Sequence, residues 1–264
     1  MLDTNVVAAD VSLIREKSPL VHNITNYVVM NNTANALLAL GASPVMAHAV
    51  EEVEAMVRLA KLVGGALVIN MGTLSPQWVD AMELAMKTAR AQHVPIVFDP
   101  VGAGATPYRT ESCQRLLQAN APSIIRGNAS EIMSLTQANV QTKGVDSASS
   151  TDAAREAADQ LARAFDCVVT VSGEVDVVTD GCQRVEIRQG HAMMARVTGL
   201  GCTASALIGA FAAVQSDLLL AAAHAMTVMG VAGEVAASKS PGPGSLQMHF
   251  LDALYQMDEK LLSE

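Results

Sequence analysis

Aromatic residues make up only 3% of the 264-residue chain, and no Gly-Lys-Ser or Gly-Lys-Thr tripeptide occurs in it. The first scarcity leaves the core to Ala, Val, Leu, Ile and the 14 methionines, which are read as core-filling residues. The second excludes a P-loop, whose lysine and hydroxyl side chain hold phosphate and magnesium. A basic face is missing too: the formal net charge of −9 argues against nucleic-acid binding. It does not argue against ATP, because backbone N–H groups and a bound cation make anion sites locally. The cysteines Cys113, Cys167, Cys182 and Cys202 include no CxxC pair, so neither a disulfide framework nor a zinc site is indicated.

Half of the residues are hydrophobic, which excludes disorder, and the length suits one large core, so residues 1–264 are read as a single domain. The first residues, MLDTNVVAADVSLIREKSP, contain acidic side chains and no unbroken apolar stretch, unlike a signal peptide. A cytoplasmic location is expected, and the Asn-X-Ser/Thr sequences at Asn23, Asn31 and Asn128 then carry no glycosylation meaning. Leu218–Ala237 approaches membrane-spanning length. It is rich in Ala and Gly, contains His224 and Glu234, and has no second segment like it, so a buried core helix is the better reading.

Short β-branched runs alternate with longer helical stretches. Strands are expected at Leu20–His22, Ser43–Met46, Ala66–Asn70, Pro95–Phe98, Ser123–Ile125 and Val168–Ser172, with helices such as Val50–Val63 and Gln77–Gln92 between. The alternation predicts a mostly parallel sheet covered on both faces. Val175–Thr179 and Arg184–Arg188 flank Asp180-Gly181, a signal for an antiparallel hairpin at one sheet edge. From Gly201 onward three helices are expected, the second and third separated by Pro241–Gly244. Thr142–Thr151 is the only linker-like segment, and it is too short and central to divide two domains.

Ligands of such a sheet bind at the carboxyl ends of the strands. Asp99-Pro100-Val101-Gly102 follows the fourth strand, and a carboxylate there suits a hydrated magnesium ion beside phosphates, although Asp-Pro can also simply open a turn. Arg126-Gly127-Asn128-Ala129-Ser130-Glu131 follows the fifth. Arg126 can meet a phosphate, Glu131 can hold magnesium through water, and Asn128 can cap the next helix. Ser172 closes the sixth strand, where it can touch nucleotide. The strongest local signal is Val197-Thr198-Gly199-Leu200-Gly201-Cys202-Thr203 before a helix expected at Ala204–Val214. Its glycines let consecutive N–H groups face one anion, and the helix dipole reinforces that site and lowers the pKa of a thiol at Cys202. A dinucleotide fingerprint also fits Gly199-x-Gly201-x-x-Ala204, but it belongs in a first βαβ unit, not ahead of an all-helical C-terminus.

DPVG, RGNASE and VTGLGCT, in this order and spacing, resemble the ribokinase-like superfamily. Within it the chain resembles the hydroxyethylthiazole kinases of thiamine salvage, over nearly its whole length, through PLVHNITNYVVMNNTANALLALGASPVMA and GPGSLQMHFLDALY. The resemblance implies a three-layer αβα fold and transfer of the ATP γ-phosphate to the primary hydroxyl of 4-methyl-5-(2-hydroxyethyl)thiazole, with Mg2+. It also implies a homotrimer with thiazole sites between subunits. By motif, Met46 and Gly199 touch the thiazole, and the Asn23–Tyr27 loop, with Asn23 and Thr25, borders it. Arg126 and Ser172 touch ATP, and Asp99 and Glu131 serve magnesium directly or through water. Most of the superfamily has aspartate where Cys202 stands, whereas the thiazole kinases have cysteine. With an ordinary pKa of ~8.5 a thiol is a weak base at neutral pH, so Gly199 and Gly201 take a larger catalytic share beside Cys202. His22 and His48 flank these segments and are expected to be structural. No strands suited to a β-lid precede Asp99, so a neighbouring subunit is expected to shield the site. Related vitamin-precursor kinases, a nucleotide-dependent dehydratase and a nucleotide sensor are the rival readings; Cys202 speaks against the dehydratase, and intact Asp99, Glu131 and glycine loop against the sensor.

Overall fold

The computed structural model describes residues 2–139 and 150–263. Six parallel strands alternate with helices: β1 (Leu20–Ile24), β2 (Ser43–Val45), β3 (Gly65–Asn70), β4 (Ile96–Asp99), β5 (Ile124–Asn128) and β6 (Val168–Ser172). The antiparallel hairpin β7 (Asp176–Thr179) and β8 (Arg184–Ile187) extends one edge, giving the order β2-β1-β3-β4-β5-β6-β7-β8. The parallel sheet with an edge hairpin matches the expectation, and all eight strands lie in this one sheet. Of the expected linker, residues 142–149 lie outside the described residues.

Period-two alternation sorts the strand side chains into two cores. Val21, Val68, Val97, Ile124 and Val168 face a helical layer made of α1 (Thr4–Lys17), α2 (Met30–Leu40), α8 (Leu200–Ala212), α9 (Leu218–Ser238) and α10 (Pro243–Gln256). Their strand neighbours Leu67, Ile69, Ile96, Phe98, Ile125 and Val169 face the opposite layer, α3 (Val53–Val63) to α7 (Ser150–Phe165). Both sheet faces are covered, which is why the strands are apolar throughout. The helices between these bounds are α4 (Pro76–Gln92), α5 (Pro107–Ala119) and α6 (Ala129–Asn139), and α11 (Glu259–Ser263) closes the chain.

Local chemistry sets the helix ends. Ser75 and Thr106 accept the N–H groups of Trp78 and Arg109, and each is followed by Pro in the first turn of α4 or α5. Three differences from the sequence reading stand out. Helix α8 begins at Leu200 rather than Ala204, so Gly199 is its N-cap and Gly201 and Cys202 already lie in its first turn. The C-terminal part has a fourth short helix, α11, and β1 continues two residues past His22. Among the described residues α9 is the one helix long and apolar enough to cross a membrane. It is instead largely buried between α8, α10 and the β7–β8 hairpin, which explains its small apolar residues.

Candidate active site

The carboxyl ends of β1, β3, β4, β5 and β6 and the N-terminus of α8 meet at one place. Asp99, the last residue of β4, is its centre and is 1% exposed. Its Oδ2 accepts hydrogen bonds from Ser205 Oγ at 2.7 Å and Asn70 Nδ2 at 2.9 Å, and Arg126 Nη1 lies 3.9 Å away. Its Oδ1 is buried without a partner. Burial pushes the Asp99 carboxyl up to about 6, while Arg126 and the bonds from Ser205 and Asn70 pull the other way.

Arg126 enters from β5, buried with only 8% exposed, and donates from Nη2 to Ser172 Oγ at 2.7 Å. The two residues expected to touch ATP are therefore direct partners. They line a cavity of about 900 Å³ together with Gly173, Asp176, Gly201 and the α9 residues Met226 and Met229. Helix α9 thus contributes Met226 and Met229 to this cavity, residues that no motif in the sequence marks.

The glycine turn has two different reasons for glycine. Gly199 has φ +88°, the left-handed region, and a Cβ there would lie 2.7 Å from Val29 Cγ1. A Cβ on Gly201 would lie 2.9 Å from Arg126 Nη1, so that glycine is the surface against which the guanidinium packs. At Cys202 the expectation of a lowered thiol pKa fails. Burial, then the charge of Asp99, push it up to about 11, against weaker help from Asn70 and Asn26. Local helix position is outweighed by desolvation, and the thiol is protonated at neutral pH.

Glu131 does two jobs at once. Oε2 accepts the N–H of Asn128 at 2.9 Å while Asn128 Oδ1 accepts the N–H of Glu131, a reciprocal cap of α6. Oε1 accepts the N–H of Gly102 at 2.9 Å, tying the loop after Asp99 to the end of β5. A Mg2+ ion fits what these residues offer: Asp99 Oδ1 is a buried carboxylate oxygen without a partner, and Glu131 keeps further lone pairs. No group of three or more His, Cys, Asp or Glu side chains that could hold a metal ion occurs among the described residues.

Asn23 lies inside β1, where its amide donates to Val21 O at 2.8 Å, and Thr25 is buried just beyond the strand. Neither has a hydrogen bond into the cluster. The residue of that segment which joins it is Asn26, whose Nδ2 donates to Asn70 Oδ1 at 2.8 Å and to Cys202 Sγ at 3.5 Å. Met46 follows β2, and its carbonyl is 3.1 Å from His48 Nδ1. His22, expected to be structural, donates from Nε2 to Ala47 O at 2.8 Å while its Nδ1 is buried without a partner, and burial lowers its pKa. His48 and Tyr27 pack on the Trp78 ring, with centroids 4.6 and 4.8 Å away.

Sequence reasoning singled out neither Asn70 nor Ser205, and it included Asn26 only as part of the Asn23–Tyr27 loop. Asn70 was within reach, because it ends β3 as Asp99 ends β4, and the same strand-end rule applies to it. Ser205 carries no signal in an apolar helix; only its placement one turn beyond Cys202 brings it to Asp99.

The chain is 58% identical over 253 residues to a hydroxyethylthiazole kinase from Syntrophus aciditrophicus, covering 96% of this chain and 92% of that one. It is similar to the solved hydroxyethylthiazole kinase of Pyrococcus horikoshii at 42% identity and a TM-score of 0.90, covering 98% and 96% of the two chains. Pyridoxal kinase from Staphylococcus aureus, at 16% identity and a TM-score of 0.59 over 81% and 88% of the two chains, shares the fold alone. Residues 11–260 match the hydroxyethylthiazole kinase family, and the chain belongs to that family.

Proposed function

We propose that the protein transfers the γ-phosphate of ATP to the primary hydroxyl of 4-methyl-5-(2-hydroxyethyl)thiazole, the kinase step of thiamine salvage. The observation that carries this reading is the meeting of Arg126–Ser172, Asp99 and the Gly199–Cys202 turn at the edge of a nucleotide-sized cavity, in a chain of this family. Arg126 and Ser172 hold phosphate oxygens, and the cavity beyond them, walled by Met226 and Met229, takes the rest of the nucleotide. The first-turn N–H groups of α8 stabilise charge on the transferring group. Gly199, Met46 and the Asn23–Tyr27 segment border the acceptor alcohol, Asn23 and Thr25 being buried at the end of β1.

Asp99 and Glu131 would hold Mg2+, directly or through water. When bound, the ion neutralises charge on the phosphate oxygens of ATP. In the reaction the hydroxyl oxygen forms a bond to the γ-phosphorus, the bond to the bridging oxygen breaks, and ADP leaves with that electron pair. The hydroxyl proton passes to solvent. A thiol pushed up to about 11 is not a thiolate that removes this proton beforehand. A loose phosphoryl transfer asks for little early deprotonation, so Cys202 orients the alcohol and the glycine turn takes the larger catalytic share.

We place the enzyme in the cytoplasm as a single-domain subunit of a homotrimer with active sites between subunits. In support, Tyr27 and Val28, next to Asn26, are 65% and 61% exposed. Leu38 on α2 and Met248 and Tyr255 on α10 add apolar surface on two helices that pack together. Incubation with MgATP and the thiazole alcohol should yield the phosphate ester by mass spectrometry and one ADP per ester. Turnover of pyridoxal or hydroxymethylpyrimidine in its place would overturn the substrate assignment.

A further inference from the structure

Asn26 is 4% exposed and has a partner for each end of its amide. Oδ1 accepts the N–H of Val28 at 3.1 Å, and Nδ2 donates to Asn70 Oδ1 and to Cys202 Sγ. The orientation is not arbitrary. A backbone N–H can only donate, so the oxygen of Asn26 must face Val28. The N–H of Gly72 in the same way holds the oxygen of Asn70, at 3.0 Å. Two backbone groups thus polarise both amides in one sense. The N–H end of Asn70 is directed at Asp99 and the N–H end of Asn26 at sulfur. Gly72 adds a steric condition, because a Cβ there would lie 2.6 Å from Asn26 Nδ2. The backbone has been cleared for this amide.

We propose that Asn26 is a positioning residue that holds Cys202 Sγ as a hydrogen-bond acceptor, with Asn70 locking it in that sense. A thiol sulfur that accepts an N–H on one side keeps a second lone pair for the site. That lone pair receives the O–H of the acceptor alcohol, which turns an oxygen lone pair toward the γ-phosphorus while the alcohol is still protonated. The role rests on the kinase reading given above. It differs from a merely structural one, in which Asn26 closes the loop between β1 and α2 and sulfur is a bystander.

The distinction can be measured in the full-length enzyme carrying Cys182→Ser, which removes the exposed cysteine. Cys113 and Cys167 are buried while Cys202 is partly exposed, so iodoacetamide at one fixed alkaline pH, read on the Cys202 peptide by mass spectrometry, reports on this thiol. Asn26→Asp keeps the acceptor for Val28 but puts an oxygen against sulfur and against Asn70 Oδ1, so the comparison with and without Cys202 separates the two effects. The thiol must then donate, and alkylation should slow about tenfold, the effect of one pKa unit on the thiolate fraction. kcat should fall about tenfold or more while KM for ATP stays within about twofold, and in a Cys202→Ala background Asn26→Asp should change kcat by less than about twofold. Asn26→Ala, which removes the amide without adding charge, should show the same loss of effect in that background, and it serves if the Asp variant does not fold. An unchanged alkylation rate in folded Asn26→Asp, or an equal loss of kcat with and without Cys202, would overturn the positioning role alone. A wild-type enzyme that does not phosphorylate the alcohol would overturn the kinase reading, and this shows before any variant is made.

Discussion

Replacing Gly201 by alanine should separate folding from catalysis in this enzyme. Gly201 is the second residue of α8 and has no positive φ, so alanine fits its backbone. On propensity alone the change should stabilise the helix by about 0.5–1 kcal/mol. The new methyl group would nevertheless sit 2.9 Å from Arg126 Nη1. An ordinary contact needs roughly half an ångström more, and the far end of a long side chain yields before a helix backbone does. Arg126 cannot yield freely, since Ser172 at 2.7 Å and Asp99 at 3.9 Å hold its guanidinium in a nearly buried site. A charged hydrogen bond of this kind is worth about 1.5–3 kcal/mol, so its displacement should lower kcat/KM for ATP by about 10- to 100-fold. Urea unfolding should show a stability loss of no more than about 1–2 kcal/mol, because the helix gain offsets part of the displaced Arg126–Ser172 bond. Steady-state kinetics should show the loss in the ATP parameters, with the alcohol's KM changed less. A Gly201→Ala enzyme with wild-type kcat/KM for ATP would refute the argument that this glycine exists to seat Arg126. So would a loss of activity that merely followed a loss of stability.

Gly199→Ala should behave in the opposite way, costing about 2–4 kcal/mol of stability from its left-handed φ and the contact with Val29, readable by the same unfolding curves. Cys202→Ala should leave measurable turnover and Cys202→Asp should remain active, whereas Gly199→Val and Gly201→Val should remove nearly all of it; the reverse order of damage in a kinase assay would sink the assigned shares. Asp99→Asn should abolish activity yet stabilise the ligand-free protein. The Asp99 carboxyl is raised from 3.8 to about 6, so the folded state binds more protons between these values and stability falls as pH rises through that window. The urea-derived gap between variant and wild type should open from near zero at about pH 4 to as much as about 3 kcal/mol at about pH 7, less whatever Arg126 loses with its neighbour's charge. A gap independent of pH would contradict a burial cost at Asp99 that outweighs Arg126 and the bonds from Ser205 and Asn70. Ser172→Ala removes the 2.7 Å partner of Arg126, and KM for ATP should rise more than KM for the alcohol.

Much of this was legible without coordinates, because the signals were local. β-branched runs, turn dipeptides and glycines report on φ, ψ and period, which depend on neighbours in sequence, and the resulting strand positions agree within a few residues. The rule that ligands gather at strand ends then named Asp99, Arg126 and Ser172 before any contact was known, and the structure places these three together. The same rule would have found Asn70. The start of α8 was misplaced because Gly199 and Gly201 read as a loop, whereas only Gly199 requires a left-handed conformation.

The family and the architecture follow from the amino-acid sequence, since ordered motifs and hydrophobic periodicity survive in one dimension. The character of Cys202 does not. Its place in the first turn of α8 pointed to a more acidic thiol, and that position is local information. What decides its protonation is desolvation and the charge of Asp99, 103 residues earlier in the chain, together with the amide of Asn26, 176 residues away. Burial and electrostatics add over every group that folding brings near, and sequence separation says nothing about that sum. The VTGLGCT turn reads in the sequence as a candidate anion site. Only the tertiary structure gives its two glycines different reasons, one its own backbone and one the Arg126 guanidinium, and brings the Asn26 amide to its sulfur.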